Sequence, residues 1–190
     1  MALINLTSPF DQATARSLNV GERVSLSGTV VTARDQVHKY LAEGHKPPID
    51  LKGLVIYHCG PVTVPAGESW LVAAAGPTTS MREEPYEPYV INTYQPGAIM
   101  GKGGMGPATL KAMQEQACVY LHLTGGAAQY IASCIKKVTG VLLPEFGQPE
   151  AMWVFEVENL PAIVTMDSHG QSLHRTIEQQ TAAKLRQLLG

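Results

Sequence analysis

Residues 97–123, "GAIMGKGGMGPATLKAMQEQACVYLHL", read as strand, glycine loop, helix, strand. That alternation recurs on both sides. Upstream, "KGLVIYHCGP" (52–61) and "SWLVAAAG" (69–76) are apolar strands separated by the turn around "PAGES", and "YEPYVINTYQ" (86–95) is a helix. Before them, "TSPFDQATARSLN" (7–19) predicts a short helix capped by Thr7 or Ser8 with Pro9 in its first turn. "ERVSLSGTVVTARD" (22–35) alternates as a strand ending near Arg34, and 35–46 is a helix with Asp35 as its N-cap. Downstream lie a second glycine loop "TGG" (124–126), a helix over 127–138, and strands at 141–144, 152–159 and 161–167. An amphipathic helix runs from about Gln171 to the end, with Leu173, Ile177, Leu185 and Leu188 among its apolar positions. Strands interleaved with helices make this an α/β fold with a mixed sheet, and nothing in the pattern divides 1–190 into more than a single domain.

Bulk properties exclude several classes of function. The chain has 190 residues, 45% of them hydrophobic and 16% charged, with a net charge of −2. That is globular composition, and it lacks the basic excess of a protein that coats nucleic acid. No apolar run approaches the length of a membrane span, and "MALINLTSPFDQ" lacks the layout of a secretory signal, so a cytoplasmic location is expected. Cys59, Cys118 and Cys134 are odd in number and far apart, which argues against a disulfide framework. No C-x-x-C or H-E-x-x-H occurs, and the expectation is a chain without a metal of its own, although spacing alone does not exclude a cluster held by distant cysteines.

The chemistry concentrates at strand-to-helix junctions. "GKGGMG" (101–106) matches G-x-G-x-x-G, but the next strand ends "YLHLTGG" without the acidic residue a ribose needs, and Lys102 is followed by Gly103 rather than Ser or Thr. A dinucleotide site or phosphate loop is therefore disfavoured. The loop still suits an anion, because glycines let backbone N–H groups approach closely, a helix N-terminus follows and Lys102 adds a full charge. "GPTTSMR" (76–82) sets Thr78, Thr79, Ser80 and Arg82 together, either as a helix start or as an anion-holding cluster. "TARDQVH" (32–38) puts Arg34 at a strand end, where it could pair with Asp35 or Glu43 or serve a ligand. Three such cations, Arg34, Arg82 and Lys102, would suit a small dicarboxylate. His45, His122 and His174 read as core or surface residues, and "MDSHG" (166–170) as a tight turn.

Taken in order, "TARDQVH", "IYHCGP", "GPTTSMR", "GKGGM" and "PEAMWVFEVENLPAIVTMDSHG" resemble the class I fumarases. The likeness is to the separate β subunit of the two-subunit form, and L(+)-tartrate dehydratase β subunits are close relatives. It runs from about Thr7 to the C-terminus, and "GPTT-x-x-R" followed some twenty residues later by "GKG" is its most specific part. The resemblance implies a swivelling β/β/α fold and a hydro-lyase that interconverts fumarate and (S)-malate. It implies a [4Fe–4S] cluster carried by an α subunit, in an α2β2 assembly, with none bound by this chain. It carries substrate binding to Arg34, Arg82, Lys102, Gly101 and Gly103, and proton abstraction to Thr78. Two departures stand out: Glu83 follows Arg82 where such chains usually have Met, and Gly125-Gly126-Ala127 replaces a "GG-Cys". The alternatives are L-tartrate or a methylated fumarate as substrate, a non-catalytic anion-binding module, and last a nucleotide-binding oxidoreductase.

Overall fold

Three short strands explain why the middle of the chain is so apolar. In a computed structural model that describes residues 3–189, β3 (Val55–Tyr57), β6 (Ala98–Gly101) and β7 (Val119–His122) lie side by side and parallel. Both of their faces are covered, so almost every residue in them is buried, as parallel strands require. Alternate side chains sort into two cores. Val55, Tyr57, Ala98, Met100, Val119 and Leu121 point to one face, while Ile56, Ile99 and Tyr120 point to the other.

The remaining main strands close this sheet on itself. Its order is β1 (Leu3–Ser8), β2 (Arg23–Thr32), β3, β6, β7, β9 (Met152–Met166) and β8 (Ile135–Leu142), and β2 also pairs with β9. The ring β2-β3-β6-β7-β9 encloses the first core, with Val24, Leu26 and Val30 from β2 facing Phe155, Val157 and Val164 from β9. A two-stranded hairpin, β4 (Val62–Ala66) and β5 (Ser69–Ala74), and helices α1 (Gln12–Ser17) and α5 (Ala128–Cys134) lie on that side. Over the second core lie α2 (Asp35–Ala42), α3 (Glu87–Tyr94) and α4 (Pro107–Gln116), through Val37, Leu41, Val90, Ile91, Leu110 and Met113. The mixed α/β sheet expected from the sequence is present.

Besides pairing with each other, the two long strands serve two further neighbours each. Residues 23–28 of β2 pair with β1 and residues 30–32 with β3, along one edge. At the hand-over, Gly28 has φ +96° and the Ser8 carbonyl occupies the space a Cβ would need. The Ser8 hydroxyl donates to the Thr29 carbonyl at 2.5 Å and accepts from the Val55 N–H at 3.2 Å, filling the gap between β1 and β3. β9 switches from β8 to β7 in the same way, around a bulge at Asn159.

Several sequence expectations are corrected. Residues 3–8 form edge strand β1, so Thr7 and Ser8 do not cap α1; Asp11 does, accepting from the Thr14 N–H at 2.8 Å. Arg34 takes the N-cap position of α2 and Asp35 falls in its first turn. The helix over 127–138 stops at Cys134, because the β-branched Ile135, Val138 and Val141 enter β8. The strands at 152–159 and 161–167 are one strand, with Pro161 tolerated beside the bulge, where pairing to β8 has already ended. β4 had no counterpart in the pattern. Helix α6 (Leu173–Leu189) forms as expected, but no residue of it is buried. No helix among the described residues is long and apolar enough to cross a membrane.

Phe155 is fully buried in the ring, so Phe155→Ala should cost about 3–5 kcal/mol. Urea denaturation would measure this, and a loss below about 1 kcal/mol would mean that the ring is not the principal core.

Candidate active site

The chain leaves the parallel strands at their C-terminal ends, where α/β folds place ligands. Arg34 follows β2, His58 follows β3 and Lys102 follows β6. The segment 77–82 crosses these ends. Its Thr78 N–H donates to the His58 carbonyl at 2.6 Å, and the Lys102 N–H donates to the Thr78 carbonyl at 3.2 Å. The Ser80 N–H in turn donates to the Lys102 carbonyl at 3.0 Å, so 78–80 and Lys102 form a short parallel ladder. Thr78 and Lys102, 24 positions apart in sequence, are thereby fixed next to each other.

The arginines arrive from either side. Cys59 bridges Pro77, and the Arg34 guanidinium lies where a Cβ on Gly60 would be, which places Arg34 beside the same crossing. Arg34 pairs with Glu150 at 3.2 Å and stands 3.9 Å from Asp35. Arg82, in a 3-10 turn at Ser80–Glu83 with a half-exposed side chain, pairs with the same Asp35 carboxylate. Asp35 thus spans both arginines. Glu43, the other partner considered for Arg34, pairs with Lys39 instead. Gly101 is buried, with the Ser80 hydroxyl in the space its Cβ would need, whereas Gly103 is exposed at φ +87° with open space around it. The structure brings Thr78, Arg34, Arg82 and Lys102 to one end of the sheet; Gly101 serves packing beneath them.

The helix N-terminus behind the glycine loop is already occupied. Glu84 accepts from the Gly106 N–H at 2.7 Å, the Ala108 and Thr109 N–H groups at 3.2 Å each, and the Thr109 hydroxyl at 2.6 Å. The partial positive charge that the sequence offers to a ligand is therefore used within the chain. Lys102 is the cation this loop leaves over; its stem packs near Gly125 of the second glycine loop.

Beneath the crossing lies a buried polar network that the sequence did not announce. The Glu87 carboxylate stands 2.9 Å from His58 Nε2 and 3.0 Å from His38 Nε2, all three side chains without exposure. His38 Nδ1 donates to the Arg34 carbonyl at 3.0 Å. Nδ1 meets a carbonyl and Nε2 stands at ion-pair distance from a carboxylate, which favours the imidazolium. Burial works against that charge, but Glu87 and then Glu83 overcome it and raise the pKa to about 9. Burial likewise opposes the Glu87 charge, and His38 outweighs it, lowering the pKa to about 2. Burial keeps His58 below its ordinary value and so neutral. Its Nδ1 then accepts from Ser80, 2.9 Å away; Ser80 meets the Tyr120 hydroxyl at 2.7 Å, which accepts from the Gly104 N–H at 3.3 Å. Hydrogen bonds and the His38–Glu87 ion pair thus link all three junctions.

His38, His58 and Glu87 converge closely enough to hold a cation, but both imidazoles are already engaged with one Glu87 oxygen, by a hydrogen bond from His58 and an ion pair with His38. The cysteines do not fit an iron–sulfur cluster. Cys59 and Cys118 lie in different cores, burial pushes the Cys59 thiol up to about 12 and raises Cys118 as well, and no group of three cysteines converges among the described residues. The sequence signal for the buried network was the acid-rich "REEPYE" (82–87): Glu83 and Glu87 turn inward, and Glu84 caps α4.

Residues 1–177 match the protein family described as Fumarase C-terminus. The chain is 51% identical over 186 residues to a Geobacillus stearothermophilus protein provisionally named fumarate hydratase class I, covering 97% of this chain and 36% of that protein. It thus spans about a third of the length of that relative. It is 40% identical over 181 residues to a Methanocaldococcus jannaschii protein provisionally named L(+)-tartrate dehydratase subunit beta, covering 92% of this chain and 93% of the other. It is 37% identical over 170 residues to the L(+)-tartrate dehydratase subunit beta of Escherichia coli (strain K12), covering 88% and 85%.

Two outcomes test this site. Glu84→Ala should destabilise the fold by about 1–2 kcal/mol, because four donors lose one acceptor; urea titration reads it. The pH dependence of stability has a definite sign. Glu83, raised by burial from 4.5 to about 7, makes folding less favourable as pH rises from 4.5 to 7. His38, raised from 6.5, contributes stability that is complete below pH 6.5 and lost as pH climbs through about 9. Glu87 contributes stability lost only as pH falls from 4.5 to about 2. His58, His122 and His174, lowered by burial, act in the opposite sense and add stability as pH rises toward neutrality, so the window of definite sign lies above it. The thermal midpoint should decline from pH 7 to pH 9, and a steady rise over that range would contradict the network.

Proposed function

We propose that this chain, which belongs to the Fumarase C-terminus family, is the β subunit of a class I fumarate hydratase and catalyses the reversible hydration of fumarate to (S)-malate. The observation that carries the reading is the gathering of Arg34, Arg82, Lys102 and Thr78 at one end of the parallel strands, with Asp35 spanning the two arginines. A carboxylate is the partner these arginines are already arranged to hold. An incoming dicarboxylate takes the place of Asp35 on Arg82, and the guanidinium fork then fixes that carboxylate in two directions. Lys102 adds a point charge beside Thr78. Thr78 is half-buried and pinned on both sides of its peptide, so its side-chain oxygen is held at a defined position to take the proton. The form that accepts it is the alkoxide, which the neighbouring cations favour before the transfer and which becomes the hydroxyl by it.

The [4Fe–4S] cluster of this reading belongs to an α subunit, since the buried thiols of this chain are unsuited to it. There it supplies a Lewis acid for the substrate's oxygens. The α2β2 assembly, the cytoplasmic location and the extent of the β-type domain over 1–190 belong to the same proposal. A second reading, an L(+)-tartrate dehydratase β subunit, is favoured by the two relatives matched over most of both chains.

Anaerobic pull-down from the native cells, with iron analysis and parallel assays on fumarate, (S)-malate and L-tartrate, separates these readings. An iron-bearing partner with fumarase activity supports the first, and activity on L-tartrate alone supports the second. A chain recovered alone, iron-free and inert would count against both and favour an anion-binding module. In the active complex, Arg82→Ala should lower kcat/KM by roughly 10²-fold or more without disturbing assembly, and near-normal turnover would remove Arg82 from the site.

A further inference from the structure

Glu83 is the acid of the buried network with the weakest pairing. Its side chain has no exposure, and neither carboxyl oxygen has a hydrogen-bond donor. The nearest cation is His38, with Nδ1 at 3.7 Å, but His38 is already balanced by Glu87 and points that same nitrogen at the Arg34 carbonyl. One imidazolium therefore faces two carboxyl groups. The groups that bear on Glu83 are His38 and Asp35 from α2, Glu87 from α3 and Arg82 from its own turn. Arg82, its immediate neighbour in the chain, is the cation with the most open access to ligand.

We propose that Glu83 is a positioning residue for the anion site: uncharged, it leaves Arg82 to the ligand, and ionised, it sets a negative charge beneath the ligand's carboxylate, draws on Arg82 and weakens dicarboxylate binding. The inference deepens the proposed function and rests on its assignment of Arg82 to a dicarboxylate. Burial holds the Glu83 carboxyl up to about 7, so its charge changes near neutrality. The other groups in reach hold their charge there. His38 stays an imidazolium until about 9, Glu87 stays a carboxylate, and burial keeps His122 and His174, near the glycine loop, below their ordinary value. Fumarate is already doubly ionised at pH 6, and the last ionisation of a weaker diacid such as succinate would tighten binding as pH rises, the opposite of the predicted course.

The test is the pH course of affinity in wild type and Glu83→Gln. In the cluster-loaded complex, KM for fumarate should rise roughly three- to tenfold from pH 6 to pH 8. In Glu83→Gln it should stay near its pH 6 value throughout. The dissociation constant of the full chain for succinate, which cannot react, should follow the same two courses. A flat wild-type profile, or an unchanged rise in Glu83→Gln, overturns the proposal. Should Glu83→Gln fail to fold, Glu83→Met fills the same space without a carboxyl and must also give a flat profile. A complex inert towards fumarate and L-tartrate, whose succinate affinity still follows the predicted course, would sink the proposed function and leave this inference standing. A working fumarase with a flat KM would do the reverse.

Discussion

A carboxylate with no access to water holds this site together. Glu87 lies between His38 and His58, and an isolated charge at that depth would cost several kcal/mol. The chain meets that cost with one imidazolium and one neutral ring, and each ring spends its second nitrogen on a different junction. His38 takes the Arg34 carbonyl, and His58 takes Ser80 and, through Tyr120, Gly104. Three loops that share little sequence proximity are therefore indexed to a single buried group. Removing either partner of such a pair costs more than the pair contributes, because the remaining charge is left unpaired.

Much of this was legible in the sequence, and the reason is local. The apolar runs of β3, β6 and β7, the helix after the glycine loop and the cations at strand ends are all signals carried by neighbouring residues. Arg34, Arg82 and Lys102 could be picked out because anions need cations, Thr78 was singled out by the family resemblance, and the structure does bring all four to one end of the sheet. What stayed hidden depends on long-range partners. Nothing in residues 3–8 says that they pair with β2, since a strand at a sheet edge has half its contacts elsewhere. Nothing around the acids in "REEPYE" says where they go, yet Glu83 and Glu87 are buried and Glu84 is spent on α4. Their destinations are set by α2, by the end of β3 and by α4, none of which sits near them in the chain.

Glu84 also changes how the glycine loop is understood. A G-x-G-x-x-G loop before a helix normally offers that helix's N-terminus to a phosphate. Here the offer is taken up by the residue two positions after Arg82, through four hydrogen bonds. The same contact that closes the loop to a nucleotide ties the Arg82 turn to α4. Exclusion of one ligand class and rigidity toward another come from one carboxylate.

The double duty of β2 and β9 has a consequence for when the site comes into being. The ring is sealed by antiparallel pairs such as Arg23 with Ile163 and Val30 with Phe155, well over a hundred residues apart. Contacts of that span form late and slowly, because a long loop must close before they are rewarded. During synthesis, every residue that would grip an anion emerges before the strand that completes the sheet beneath it. A nascent chain would thus carry Arg34, Thr78, Arg82 and Lys102 for some time before the proposed site exists, and would assemble it only when its last long strand docks.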